Sequence, residues 1–520
     1  MFKKLLLFVF LPVFGFSVLS AQATLLKTPE LNYNDTTAYE GLGSNGITQI
    51  KSQGDSILWL GTGAGLSWVE TDYFQDSVFS YYSGYEQMPK GGVSAIETED
   101  SSIWIASVFD STTREGKIQT GGGLSFSGDG GETWSKLPQP VDAGSDDFDV
   151  WNGDTIRFLP IITPVQNTTW DIAIDRNNIY TASWAGGLRR TSDNGQSWER
   201  IPLPADDEDT LVVGQDEIDY QINPRNNYNH MGFSVLAYND TLWVGTAKGI
   251  NKGIIKDNTI EWIHYSTEKL AGITGDFVVA LYRQSYGGDD IIWAVTLPGP
   301  TSGESQGICY TEDGGQTWQS TMDGFRAYDI VSAGEDIFVA TRTGLYKLSK
   351  DRNNWSKYDP IIDNKSKNEI LTDRIYALLS DGEYLWAGTN DGLGRLDLEE
   401  SSWSIYHESV STEEAGEPEI DAYPNPFYPR YSNIRNEAGH VRIKFNLKSS
   451  ATVWLEVYDF AMERVYKGAK ERMTAGDRFI VWDGTRESGE LVANGTYFCK
   501  LTRKTNSVTS SHWTKLLIMK

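Results

Sequence analysis

One segment recurs along most of this chain and limits the folds open to it. Residues 375–397 read I-Y-A-L-L-S-D-G-E-Y-L-W-A-G-T-N-D-G-L-G-R-L-D and are followed by W-S-I-Y at 403–406. Close copies run over 47–69 and 233–250, and looser ones start at Val93, Trp170, Phe277 and Ala327. Each copy reads as four short strands: an inner apolar strand, an L-W-x-G-T strand, a G-L strand, and an outer strand carrying Trp or Tyr. Such a sheet cannot bury both faces alone, so seven copies must stack around an axis. The expectation is an all-β chain, a seven-bladed β-propeller over 24–410.

A second motif punctuates three copies. S-G-D-G-G-E-T-W (127–134), T-S-D-N-G-Q-S-W (191–198) and T-E-D-G-G-Q-T-W (311–318) each follow a third strand and precede a fourth. A short acid on a glycine turn accepts backbone N–H bonds while glycine permits positive φ. Asp129, Asp193 and Asp313 therefore read as turn clips, with Trp134, Trp198 and Trp318 packing between blades. Three acids spread around a rim do not make one active site.

The D-G-x-x-L-W-x-G-T units resemble the two-component regulator propeller repeat of bacterial extracytoplasmic sensors. The D-x-G-x-T-W motifs resemble the Asp-box, or bacterial neuraminidase repeat. Both resemblances imply propeller blades, and neither implies an activity.

In an up-and-down blade, the B–C loops and the connections between blades share one face. The long insertions fall there: the connections near 139–167 and 205–230, and the B–C loops of blades 2 and 5. They carry Asp147, Trp151, Arg157, Asp207, Tyr220, Arg225, Tyr228 and His230, with Trp184 in the third B–C turn. Aromatic faces beside hydrogen-bonding acids suit a glycan or a protein ligand. The alternatives are a glycoside hydrolase or lyase, which needs two nearby carboxylates, and a structural or adhesive disc. The nearest carboxylate candidates are Asp146, Asp147 and Asp149 opposite Asp206, Asp207, Glu208 or Asp209. No catalytic residue is nominated and no cofactor is expected. Ca2+ is the one ion the acidic loops suit. The five histidines never pair at zinc-ligand spacing.

The chain opens M-F-K-K, then a long apolar run and S-A-Q-A, a signal peptide over 1–23. Export to the cell surface or medium, through the periplasm, is expected, with no membrane span in the mature chain. Charge divides the remainder. Residues 421–520 hold 16 Lys and Arg against 10 Asp and Glu, an excess of 6 positive charges. With Lys3 and Lys4 lost from a chain of net −26, residues 24–420 are left at −34. A body that acidic repels nucleic acid.

Residues 411–420 read as a polar linker, and 421–520 as a small Ig-like sandwich of alternating strands. This last segment resembles the hook-capping Ig-like domain in W-D-G (482–484) and G-E-L-V-A-N-G-T-Y (489–497). Its Y-P-N-P-F entry (423–427) and closing K-L-L-I-M-K resemble type IX secretion sorting domains. That resemblance implies the secretion machinery as a partner. Cys309 and Cys499 sit in strand patterns and read as small buried apolar residues rather than a disulfide.

Overall fold

The computed structural model describes residues 39–520 apart from 56, 71–79, 82–85, 114–115, 152, 258, 287–288, 300–302, 350–351, 353, 359, 364–367, 409–419 and 507. The signal-peptide segment and most of the linker lie outside the described residues. The described chain falls into two compact units, one built from most of 39–406 and one from 407–520 with Glu369–Arg374.

The first unit is the seven-bladed β-propeller. Each blade is a run of consecutive antiparallel strands, as in Ile375–Ser380, Tyr384–Thr389, Gly392–Asp397 and Ser402–Tyr406. Blades 1 and 4 gain a fifth, outer strand from Tyr39–Glu40 and Thr210–Val213. Every inner strand packs on the next, and Ile47–Gln53 meets Ile375–Ser380 to close the ring. Closure needs no strand exchange between the first and last blades.

The repeat's residues explain its packing. One aromatic of strand B, third in six blades and fifth in the longer strand of blade 5, is Trp59, Trp104, Tyr180, Trp243, Trp293, Phe338 or Trp386, each at most 2% exposed. Two positions on, Gly61, Gly245 and Gly388 admit the neighbouring inner strand. A Cβ on Gly61 would lie 2.9 Å from the Val93 side chain. The next residue, Thr62, Thr246, Thr341 or Thr389, donates its hydroxyl to the carbonyl of Gly65, Gly249, Gly344 or Gly392 at 2.7–3.0 Å. That bond closes the B–C turn, which explains the G-T-x-x-G spacing.

The three D-x-G-x-T-W turns are built alike. The Asp313 carboxylate accepts the Thr317 N–H (2.9 Å), the Thr317 hydroxyl (2.7 Å) and the Thr311 hydroxyl (2.8 Å). Asp129 and Asp193 take the equivalent bonds. Bonds from the residue four positions on hold all three carboxyls down at about 2. The following tryptophans meet the preceding blade edge-on: Trp134 on Trp59 at 5.9 Å, Trp198 on Trp104 at 6.4 Å, Trp318 on Trp243 at 6.1 Å.

The second unit is the Ig-like sandwich. One sheet holds Ile420–Tyr423, Val441–Leu447 and Gly476–Trp482. The other holds Arg464–Lys467, Ala451–Tyr458, Gly495–Lys504 and Thr509–Ile518, with Glu471–Met473 also on Ala451–Tyr458. Its core gathers Ile443, Leu455, Val457, Trp482, Cys499 and Leu516. Cys309 and Cys499 are buried free thiols, and burial pushes both up to about 12.

Candidate functional site

The connections between blades 2 and 3 and between blades 3 and 4 form one layer on the loop face. Phe158 bridges Ile222 in parallel, with Ile222 N–H on Arg157 O (2.8 Å) and Leu159 N–H on Ile222 O (2.9 Å). A hairpin of Phe148–Trp151 and Asp154–Arg157 rises from the first connection. Apolar residues of both connections, Ile156, Phe158, Leu203 and Ile222, share a core with Leu188, Ile201 and Trp262 of the blades. The expected B–C loop of blade 2 is instead an extension of two strands, Ser102–Thr113 and Gly116–Ser127. Alternating polar residues there continue the hairpin ladder.

This layer separates the candidate residues. Trp151 and Tyr220 pack against the shared core. The Tyr220 hydroxyl donates to Leu203 O at 3.0 Å, and its ring stacks on His230 at 5.7 Å. His230 is 3% exposed, accepts the Asn223 N–H through Nδ1 at 3.0 Å, and is pushed down to about 4 by burial. Asp147, Arg157, Asp207 and Arg225 are exposed, and Tyr228 is half-buried beside Asp206. Trp184 lies apart from these, in the B–C turn of blade 3.

Two of the acids serve their own loops. Asp206 accepts the N–H groups of Tyr228 and Asn229 (3.0 and 2.8 Å), and Asp146 caps its own turn at Ala143. Among the described residues no three His, Cys, Asp or Glu side chains are grouped as a metal ion would require.

Asp142 has a different role that its sequence context does not reveal. Its two oxygens take Arg189 Nη2 at 2.6 Å and Arg200 Nη2 at 2.7 Å, and the Ile161 N–H binds at 2.7 Å. The two arginines, 4% and 6% exposed, come from facing positions of strands C and D in blade 3. Burial opposes the Asp142 charge, but the two guanidiniums outweigh it and hold the carboxyl below its ordinary value. This cluster ties the first long connection to its blade.

A second group of side chains stands at the head of the inner strands, on the loop face. Each inner strand carries a β-bulge at its second or third residue, and these residues are Thr48, Ser94, Trp170, Phe233, Val279, Tyr328 and Tyr376. Four are aromatic, and all four stay half-exposed at the end of the strand nearest the loop face. Phe233 meets Phe277 of blade 5 edge-on at 4.5 Å and Trp184 of blade 3 at 6.3 Å. Across the ring, Tyr328 and Tyr376 lie 5.1 Å apart, and Asn390 Nδ2 donates to the Tyr376 hydroxyl at 3.1 Å. Of this group only Trp184 is among the residues nominated from sequence. The signal was present, as an aromatic at one repeat position in four blades, but the bulge that shifts the register there is not visible in a sequence.

Deeper along the inner strands sit Lys51, Glu97, Asp171 and Asp329. Lys51 and Glu97 pair at 2.6 Å. Asp171 accepts the N–H of Val235, and Asp329 that of Leu378, each on the next blade's inner strand at 2.9 and 2.8 Å. These bonds satisfy amides that the innermost strand's open edge would otherwise leave unpaired. Lys51 keeps 33% of its side chain accessible and Glu97 22%, so the pair is not sealed in tightly packed core. Burial pushes Asp171 up to about 7 and Asp329 up to about 6, with Lys51 opposing both. Burial also works against the Lys51 charge, but Glu97 and then the two aspartates outweigh it and raise Lys51.

The sign of the resulting pH dependence follows. A carboxyl whose folded pKa exceeds its unfolded value binds more protons when folded, so stability falls as pH rises between the two values. The thermal midpoint should therefore fall from pH 4 towards pH 7 through these groups. Asp171→Asn should flatten that slope in calorimetry, and parallel profiles for the two proteins would refute the assignment.

The profile of the FlgD Ig-like domain matches residues 432–507. No curated protein matches the chain. Among solved structures, the chain is similar to PorZ, an essential surface component of the type-IX secretion system of Porphyromonas gingivalis. Identity is 14%, covering 91% of this chain and 66% of PorZ, with a TM-score of 0.34. It is also similar to YCF48 from Cyanidioschyzon merolae, with 13% identity over 72% of this chain and 99% of that one (TM-score 0.40). A third is an ancestral GH74 enzyme, with 11% identity over 93% of this chain and 64% of that one (TM-score 0.46). This chain thus spans about two thirds of the length of PorZ and of the GH74 enzyme. None of these likenesses bears on what it binds. No helix among the described residues is long and apolar enough to cross a membrane.

Proposed function

We propose that this chain is an exported, non-enzymatic binding protein whose propeller takes a neutral glycan across the entrance of the central channel. The observation that carries this reading is the set of half-exposed rings Trp170, Trp184, Phe233, Tyr328 and Tyr376, drawn from blades 3, 4, 6 and 7 on the loop face. Flat rings offer apolar faces to sugar C–H groups, and the polar groups among them fix orientation. The strongly acidic body disfavours an anionic ligand. Asp147, Arg157, Asp207, Arg225 and Tyr228 extend the contact surface from the neighbouring layer, while Trp151, Tyr220 and His230 hold that layer in place.

Export rests on the apolar leader with its small-residue exit and on the sandwich, which serves secretion or surface attachment. Protein recovered from outside the producing cells should be titrated with neutral oligosaccharides, following tryptophan fluorescence. Trp184→Ala and Phe233→Ala should each weaken binding at least roughly tenfold, the loss of about 1.4 kcal/mol. Undiminished binding by both variants, or no binding to any neutral glycan, would overturn the glycan reading. Recovery from the cytoplasm alone would overturn export.

A further inference from the structure

The last strand of the sandwich, Thr509–Ile518, ends its sheet and is open on one side. Its C-terminal half is covered. Asn425 bonds Lys515 O (2.9 Å) and Leu517 N–H (3.0 Å), and Phe427 N–H bonds Leu517 O (2.8 Å). Those bonds show which residues turn their main chain outward. By the two-residue period of a strand, Thr509, Ser511 and Trp513 do the same. Among the described residues no strand, turn or bridge pairs with that stretch.

Folded proteins blunt such edges with Lys, Pro or bulges, yet Thr-Ser-Ser-His-Trp at 509–513 contains none of them. The outward face beside it is also unusual. Trp513 is 47% exposed and Phe460 80%. Tyr458 lies 5.4 Å from Trp513, and Lys500 Nζ sits 5.5 Å from the Trp513 ring centre. Lys515 is exposed on the same face. The nearest acid in register, Glu456 opposite Lys500, is paired with Arg464 at 3.4 Å.

We infer that the edge Thr509–Trp513 is a docking site for an extended acidic segment of a partner polypeptide, which adds to the sheet as a further strand. The main chain of Thr509, Ser511 and Trp513 supplies the hydrogen bonds. Lys500 and Lys515 select acidic residues at alternate positions, and Trp513 with Tyr458 covers an apolar one. Charge complementarity favours this occupant, because residues 421–520 carry 16 Lys and Arg against 10 Asp and Glu. The inference stands whether or not the propeller binds a glycan.

The test uses the full chain and short synthetic peptides: one alternating Val and Glu, one alternating Val and Lys, and the first with a central Pro. Only the uninterrupted Glu peptide should bind. Ser511→Pro removes one outward N–H at an edge position where proline is tolerated, together with the Thr502–Ser511 hydroxyl bond (3.0 Å), so it should lower thermal stability only slightly and weaken binding at least roughly tenfold. Lys500→Glu, which leaves the backbone intact, should also lose the Glu peptide. Equal binding of the Lys peptide, no binding of the Glu peptide, or full binding by both variants would overturn the proposal. So would a dimer abolished by Ser511→Pro without peptide binding, which would assign the edge to a second copy of the chain.

Discussion

Asp142→Ala should destabilise the propeller by about 3–5 kcal/mol, the cost of leaving buried charge without its partner. The substitution strands two guanidiniums, Arg189 and Arg200, that are 4% and 6% exposed. It also removes the acceptor of the Ile161 N–H. Urea unfolding followed by circular dichroism reads the effect directly. Asp147→Ala, five residues on and exposed, should change stability by less than about 0.5 kcal/mol. The contribution of Asp142 should be present above its ordinary pKa and fade as pH falls through the lowered folded value, because the folded state holds the deprotonated form. Equal effects of the two substitutions would show that Asp142 does not anchor the connection.

Trp243→Ala should cost a similar amount, about 3–5 kcal/mol, through lost burial and an unfilled cavity. Trp243 is 1% exposed, stacks on Tyr265 at 6.2 Å and receives the edge of Trp318 from the next blade. Its indole N–H also reaches the Tyr238 hydroxyl at 3.2 Å. Trp318→Ala empties the other side of the same contact, so the double variant should lose less than the sum of the singles. Strict additivity would mean that the D-x-G-x-T-W turn does not seat its tryptophan on the neighbouring blade.

The blades were legible because their determinants are local and repeated. One aromatic, one small residue and one hydroxyl recur at the same offsets, and each has a packing or turn-closing role. The long connections were legible as insertions and as belonging to one face. Their internal order was not legible. Asp142 stands in a run of acids that looks like any solvated loop, and its partners lie 47 and 58 residues away. The same distance problem hid the channel entrance. Phe233 and Phe277 are 44 positions apart in number and 4.5 Å apart as rings.

Periodicity was therefore sufficient for architecture: the strand order, seven blades, the face on which insertions emerge, and the sandwich that follows. Hydrophobic alternation and turn chemistry act within a few residues, and a linear reading captures them. Which insertion residues are spent on packing and which stay open was settled only by the closed ring. A bulge near the head of four inner strands falls on an aromatic that stays half-exposed, while Phe158 and Ile222 draw two connections into one core. Both depend on contacts between segments whose separation along the chain carries no local signal.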